Sequence, residues 1–169
     1  MAKGTDVGDN VTIENSAMGM AGFLGQFVHA LDGKKRLTIP SEWRDLTGTP
    51  AQLIVLPSVT VADEDKCLWV YPMREWNRRL EKLRTVSSVD EKTRRALRVI
   101  ASRSEMLSWD GVGRMRVRDE LLKHAGLSSQ VVLVGAFERF ELWEPELWKQ
   151  QVGSVDQASL QKAVQSVGL

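Results

Sequence analysis

Two short segments of the chain carry the same residue types at the same spacing, and both could bind an anion. They read Asp32-Gly-Lys-Lys-Arg36 and Asp110-Gly-Val-Gly-Arg114, so an arginine follows each aspartate by four residues. An Asp-Gly pair favours a tight hairpin turn, because glycine tolerates positive φ and the aspartate accepts hydrogen bonds from the loop backbone. The arginine offers a planar fork that fits phosphate or the acceptors of guanine, and a hairpin is narrow enough to enter the major groove.

The residue types leave more than one role open for these loops. An isolated Asp-Gly turn is most often purely structural, and each arginine could instead clamp the aspartate of its own loop. The two roles can also coexist across the copies. Lys34 and Lys35 add two cations, which serve equally well as solvated surface charge or as phosphate contacts.

The elements around the two loops are duplicated as well, in copies that run from Asp32 to Trp76 and from Asp110 to Trp148. In the first copy we predict a strand over residues 25–31 and a short helix over residues 41–46, followed by an antiparallel strand pair. The predicted pair covers residues 53–56 and 67–71, and the second copy repeats the pattern with strands over residues 104–109, 130–134 and 140–143. Such duplication indicates one pseudo-symmetric body rather than a linear array.

Two longer helices are predicted between the copies. Apolar residues at steps of three and four define the first from Met73, and Ser88 with Glu91 suggests a capping box at the start of the second. A weaker helix is expected over residues 157–167, and residues 11–13 could form an edge strand. We therefore divide the chain into a flexible tail, a first unit, connecting helices, a second unit and a helical tail, over residues 1–22, 23–76, 77–101, 102–148 and 149–169.

Composition limits the classes of protein that fit. With 169 residues, 43% of them hydrophobic, the chain can bury a core as one domain or two interlocked halves. The single cysteine, Cys67, excludes an internal disulfide, and no apolar run approaches the roughly 20 residues of a membrane span. We expect a cytoplasmic protein without a membrane partner. The net charge of +1 does not indicate a polyanion partner, but cations are concentrated around both loops.

Catalytic groups are scarce in the sequence. His29 and His124 are isolated, with no histidine or cysteine at metal-ligand spacing, and Cys67 lies in an apolar run where a core role is expected. Asp32 and Asp110 could form a carboxylate pair, but turn chemistry explains both. We predict no enzyme activity, no metal or cofactor, and find no sign of a small-molecule ligand.

The order of the motifs resembles the MraZ family of bacterial transcriptional regulators. The resemblance covers about residues 23–152 and rests on the doubled Asp-x-x-x-Arg loop, Cys67-Leu-Trp-Val-Tyr-Pro72, Glu75-Trp76, His124-Ala-Gly-Leu127, Val131-Val-Leu-Val-Gly135 and Phe140-Glu-Leu-Trp143. It implies an α+β fold of two tandem AbrB-like swapped-hairpin units that form one pseudo-symmetric β body. It also implies a cytoplasmic, nucleoid-associated protein that assembles into homo-oligomeric rings. Such rings would bind short direct repeats in double-stranded DNA upstream of the division and cell-wall gene cluster.

The resemblance assigns the DNA-reading loop to the first copy. Arg36 is expected to contact bases and the two lysines, Lys34 and Lys35, to contact phosphate, with Arg114 at the matching position of the second copy. The loops would be shaped by Asp32, Gly33, Asp110 and Gly113. Lys35 stands where the family has glycine, so positive φ there would cost free energy, and the turn is expected to shift onto Asp32 and Gly33.

The second copy departs further from the family pattern. Asp119 and Leu122 replace the proline and arginine of the helix after the loop, whereas the first copy keeps Pro40 and Arg44. We interpret the second loop as the more structural one. The alternative to a DNA-binding regulator is an oligomeric protein-binding scaffold, or an antitoxin-like partner with only nonspecific affinity for DNA.

Overall fold

The computed structural model describes residues 22–48, 51–86 and 89–169. Its strands are β1 (Gln26–Ala30), β2 (Arg36–Thr38), β3 (Leu53–Pro57), β4 (Leu68–Pro72), β5 (Glu105–Leu107), β6 (Arg114–Arg116), β7 (Gln130–Ala136) and β8 (Arg139–Trp143). Its helices are α1 (Ser41–Leu46), α2 (Met73–Thr85), α3 (Glu91–Arg103), α4 (Asp119–His124), α5 (Pro145–Ser154) and α6 (Gln157–Val167), with a short 3-10 turn at Asp63–Asp65. The predicted strands and helices of both copies are confirmed to within a few residues, and α1 and α6 have the predicted bounds.

The strands form one large sheet and one small ribbon. The large sheet is antiparallel, in the order β1-β7-β8-β4-β3-β5, and the ribbon pairs β2 with β6. Strands β1 to β4 of the first copy correspond to β5 to β8 of the second. When each strand is replaced by its counterpart, the large sheet has the same strand order read from the opposite edge. The predicted fold class, α+β with two repeated β units in one pseudo-symmetric body, is confirmed.

Strands are exchanged between the copies. β1 pairs with β7 of the second copy, β5 pairs with β3 of the first, and β2 pairs with β6. The Asp-Gly turn was expected to close a local hairpin, and this expectation is wrong, because β1 and β2 on either side of it belong to different sheets. The turn forms, but the ladder hydrogen bonds of both strands go to the other copy.

Alternating side chains attach the ribbon to the core. Leu37 of β2 lies opposite Met115 of β6, and both are fully buried, as are Ile39 and Val117 just beyond the two strands. Burying each such side chain stabilises the fold by about 2 kcal/mol. The residues between them point to the opposite face, so the ribbon has one apolar and one polar side.

Helix α1 anchors the first copy through Trp43. The indole is 2% exposed, packs edge-on against Phe23 and Phe27, and lies 5.0 Å from the ring of Phe140 in the second copy. Its Nε1 donates a hydrogen bond to the carbonyl of Leu24. This aromatic cluster fixes the helix that follows the first loop.

One helix start differs from the prediction. Helix α3 begins at Glu91, and the side chain of Asp90 caps it by accepting a hydrogen bond from the amide of Thr93 at 2.8 Å. A capping box at Ser88 is therefore wrong, because the cap lies two residues later. Ser88 itself lies outside the described residues, as do residues 11–13 and all but Gly22 of the predicted tail.

Candidate nucleic-acid interface

Loop 1 (residues 32–36) and loop 2 (residues 110–114) have the same backbone hydrogen bonds. In loop 1 the amide of Lys35 donates to the carbonyl of Asp32 at 3.0 Å. The amide of Asp32 in turn donates to the carbonyl of Arg36, also at 3.0 Å. The matching two bonds of loop 2 are each 2.9 Å long. The repeated sequence pattern therefore produces a repeated conformation.

The aspartate side chains hold both loops from within. Oδ1 of Asp32 accepts hydrogen bonds from the amides of Lys34 and Arg36, each at 2.9 Å, and Asp110 has the matching bonds in loop 2. The bond from the Arg36 amide is the main cause that lowers the pKa of Asp32 from 3.8 to about 2. The amide of Arg114 likewise lowers the pKa of Asp110. Both carboxylates are ionised at neutral pH and accept hydrogen bonds from the loop backbone.

Three arginines of this region are each held by their Nε atom. Arg36 donates from Nε to Oδ2 of Asp32 at 2.7 Å, and Arg114 donates to Oδ2 of Asp110 at 2.9 Å. Arg116 donates from Nε to the carbonyl of Lys34 at 3.2 Å. Among the described residues, the terminal nitrogens of these three side chains make no hydrogen bond. The clamp is therefore present, and it leaves the outer edge of each guanidinium available to a ligand.

The ribbon brings the two loops together. Arg36 lies opposite Arg116, and Arg114 lies opposite Thr38, so these side chains share the outer face of the ribbon. A terminal nitrogen of Arg36 lies 3.9 Å from Oδ2 of Asp110, which links the first loop to the second. Loop 1, the ribbon and loop 2 form one continuous surface, which we call the loop strip.

The loop strip is positively charged. It carries five cations, Lys34, Lys35, Arg36, Arg114 and Arg116, against the two carboxylates Asp32 and Asp110. Both lysines and Arg116 are exposed, and Arg36 and Arg114 are partly exposed. Arg116 was not among the predicted site residues. The alternation of Arg114, Met115 and Arg116 is typical of a strand, and it was the signal that could have placed Arg116 on the same face as Arg114.

Comparison with known proteins agrees with the doubled geometry. The family described as "MraZ protein, putative antitoxin-like" matches residues 23–99 and again residues 102–167, so each match contains one loop. The chain belongs to the MraZ family. Proteins named Transcriptional regulator MraZ from Yersinia pestis (strain Pestoides F) and Yersinia pseudotuberculosis serotype O:3 (strain YPIII) are both similar to it. Each is 35% identical over 130 residues, which are 77% of this chain and 84% of the relative. The resemblance is confirmed, and the chain is a member of a family of transcriptional regulators.

The MraZ-like loops differ at their fourth residue. Lys35 has a φ of 60° and Gly113 has a φ of 86°, so both occupy the left-handed region. The turn was expected to shift onto Asp32 and Gly33, and this is wrong, because Gly33 has no positive φ. Oδ1 of Asp32 accepts two backbone hydrogen bonds that hold loop 1 in the conformation of loop 2, although lysine stands at the position of Gly113. Lysine at this position therefore brings backbone strain, and it also adds an exposed charge at the tip of loop 1.

Loop 2 of this MraZ-family chain is more tightly enclosed than loop 1. Gly113 is buried, and a Cβ atom added to it would lie 2.6 Å from the guanidinium carbon of Arg44. The carbonyl of Gly113 also accepts a hydrogen bond from the amide of Ile39 at 2.8 Å. These contacts support the interpretation of loop 2 as the more structural one.

The first residues of the helices that follow the two loops correct one detail of the comparison with the MraZ family pattern. Pro40 is the N-cap of α1, and Arg118 is the N-cap of α4. Both lie eight residues after the aspartate of their loop, so Arg118, and not Asp119, takes the place of Pro40. Leu122 does lie at the position of Arg44, and it is buried.

The single cysteine lies in the core and not on the loop strip. Cys67 is buried, as predicted, and burial raises the pKa of its thiol to about 12, with the charge of Glu141 adding to the effect.

Across the described ranges, no group of three or more His, Cys, Asp or Glu side chains could hold a metal ion. In those same ranges, no helix has the length and apolar character needed to cross a bilayer.

Proposed function

We propose that this chain is a sequence-specific DNA-binding regulator whose loop strip enters the major groove of double-stranded DNA. Arg36 would contact bases, and Lys34 and Lys35 would contact phosphate. The sites would be short direct repeats upstream of its own division and cell-wall gene cluster. The protein would act in the cytoplasm, associated with the nucleoid.

The observation that carries this proposal is the way the three arginines are held. Each of Arg36, Arg114 and Arg116 is fixed through Nε, and its terminal nitrogens make no hydrogen bond with the described residues. One terminal nitrogen of Arg36 faces Asp110 at 3.9 Å, and the other is left for a ligand. A guanidinium fixed in this way loses little conformational entropy when two terminal N–H groups bind a phosphate or the O6 and N7 atoms of guanine. The two-stranded ribbon that bears them has the width that the major groove accepts.

We propose further that several copies act together as a closed ring. One loop strip offers few base contacts, so its own affinity for DNA would be low. Tethered strips bind at high effective concentration, which converts several weak contacts into selection of repeated sites. Closed symmetry would place successive strips on successive major grooves.

The test is fluorescence anisotropy with duplex DNA from upstream of the gene of this protein, compared with a shuffled duplex of equal length, at two salt concentrations. We expect preference for the native duplex and weaker binding at higher salt. Arg36→Ala should lose about 1–3 kcal/mol of that preference, because the bidentate contact disappears. Lys162→Ala, in the exposed helix α6, is the matched control and should bind as the parent does.

The outcomes separate the proposal from its alternatives. Equal binding of both duplexes by the parent would contradict operator recognition and favour nonspecific association with DNA. No binding to either duplex would favour the protein-binding scaffold or the antitoxin-like partner. If Arg36→Ala keeps the full preference for the native duplex, the base contact has been assigned to the wrong residue.

A further inference from the structure

A cavity of about 610 Å³ lies on a part of the molecule that the loop strip does not use. It is formed by the C-terminal end of α3, helix α4 and the end of β3. Its polar lining consists chiefly of Lys66, Arg103, Arg118, Glu120, Lys123 and His124, while Pro57 and Leu121 supply an apolar wall. A volume of this order accommodates a small organic ligand.

The lining carries more positive than negative charge. Four cations line the cavity against one carboxylate, Glu120. Lys66 is paired with Asp63 at 2.5 Å, and Arg118 is paired with Glu105 at 3.4 Å. Arg103 and Lys123 have no ion pair within the part of the chain that the structure describes. Two cations are therefore available to an anionic ligand.

Arg118 forms a fixed part of the wall. Its terminal nitrogen NH2 donates to the carbonyls of Arg103 and Ser104, both at 3.3 Å, and so ties α4 to the end of α3. Its Nε is buried and makes no hydrogen bond with the described residues, although it faces Glu105 as an ion pair. Arg118 immediately follows Val117, which is buried just beyond β6, so the cavity begins close to the end of the ribbon.

His124 is set up to respond to an anion. Its Nε2 lies 3.5 Å from Oγ of Ser58, and that hydroxyl donates to the carbonyl of Asp65 at 3.3 Å. Burial lowers the pKa of His124, and the positive charges of Lys66 and Arg103 lower it further. A bound anion would offset both charges.

We propose that this cavity binds a small organic molecule that carries a phosphate monoester. Such a group has a charge of about −1.5 to −2 at neutral pH, which matches the two cations Arg103 and Lys123. Its oxygens accept hydrogen bonds from the guanidinium, the ammonium and a protonated His124. The apolar wall of Pro57 and Leu121 would contact the organic part.

The test uses AMP as the probe, with adenosine and inorganic phosphate as comparisons, on the full chain without DNA. The readout is the NMR titration of the two histidine side chains, because the chain contains only His29 and His124. We expect AMP to raise the pKa of His124 and to leave the ring signals of His29, in strand β1, unshifted. Adenosine should have no effect, and inorganic phosphate should bind more weakly than AMP.

The test variant combines Arg103→Gln with Lys123→Gln. The control variant combines Lys149→Gln with Lys162→Gln and so loses the same amount of charge. The first pair should weaken AMP binding by roughly tenfold or more, and the control pair should not change it. No response of His124 at about 10 mM AMP would overturn the proposal, since that limit excludes even millimolar affinity. Equal binding of AMP and inorganic phosphate would overturn the assignment of an organic ligand.

A second readout distinguishes this site from the proposed DNA surface. If the Arg103 and Lys123 pair of substitutions reduces affinity for DNA as much as Arg36→Ala does, while AMP does not bind, these cations contact DNA and the proposal is wrong. If AMP binding persists in Arg36→Ala, the cavity binds AMP without a contribution from Arg36 of the loop strip, which supports a separate site. Failure of DNA binding in the parent would leave the AMP titration unaffected.

Discussion

At the scale of single residues, the fourth position of each loop shows how one backbone conformation is reached by two routes. Lys35 and Gly113 both lie in the left-handed region, but only Gly113 avoids the steric cost that a Cβ atom brings there. Lys35 is exposed, and its cation lies at the tip of the loop strip. The lysine therefore combines a cost in stability with a charge suited to phosphate contact.

Lys35→Gly should raise the free energy of unfolding by about 1 kcal/mol, because the left-handed conformation no longer carries the Cβ penalty. The measurement is urea denaturation followed by tryptophan fluorescence. The same variant should bind DNA more weakly at low salt, since one phosphate contact is lost.

Gly113→Ala provides the comparison at the matching position. It should destabilise the protein by about 2 kcal/mol or more, because the added methyl group meets the Arg44 guanidinium as well as the unfavourable φ. If Lys35→Gly were as destabilising as Gly113→Ala, the strain assigned to Lys35 would be wrong.

At the scale of the elements, each loop is an acid-sensitive unit. The pKa of Asp32 is about 2 in the folded chain, below its ordinary value of 3.8, and that of Asp110 is also lowered. Protonation therefore favours the unfolded chain. The contribution of these carboxylates is fully present above the ordinary pKa and is lost as the pH falls from about 4 towards 2.

Asp32→Asn should reduce this acid sensitivity. The asparagine oxygen can still accept the two amide hydrogen bonds, but the side chain no longer titrates. We expect the parent to lose more stability than the variant between about pH 5 and pH 3 in urea denaturation. The control variant is Asp156→Asn, which removes a titrating carboxylate from the N-cap of α6 and leaves loop 1 intact. Identical pH dependence in the parent and in Asp32→Asn would contradict the role given to Asp32.

The same scale shows what the sequence could and could not predict. Strands and helices follow from local alternation and helical spacing, which is why α1 and the β7–β8 pair were predictable. Strand pairing is not local. A run such as β1, loop 1 and β2 has the sequence of a hairpin, yet both strands pair with strands of the other copy.

The candidate site was predictable only in part for a related reason. The doubled Asp-x-x-x-Arg spacing identified the two aspartates and Arg36 with Arg114. Local alternation places Arg116 on the same face as Arg114, but its contact with loop 1 arises only because β6 lies against β2, which no local pattern shows. The contact of Arg44 with Gly113 likewise depends on the exchange of strands. The cavity near His124 depends on how α3 packs beside α4, and its lining residues are spread from Pro57 to His124 in the chain.

At the scale of the whole molecule, the exchange makes the two copies depend on each other. Within the described residues, β1 has a single neighbour, β7, and β5 has a single neighbour, β3, while β2 and β6 have only each other. The largest hydrophobic cluster contains Leu37 and Trp43 of the first copy together with Met115 and Phe140 of the second. Neither copy alone can complete the hydrophobic core or satisfy the backbone hydrogen bonds of the exchanged strands.

The chain should therefore unfold as one cooperative unit, although its sequence contains two repeats. At a fixed protein concentration, far-ultraviolet circular dichroism and tryptophan fluorescence should give coincident urea transitions. Amide hydrogen exchange should reach the same limiting free energy at Val55 of β3 and Leu133 of β7, because both open only in global unfolding. A fragment of residues 1–101 should remain unfolded, since β1 and β2 lack their partners. Two separate transitions, or a folded fragment, would contradict the interdependence of the copies, and with it the reason that both loops lie on one surface.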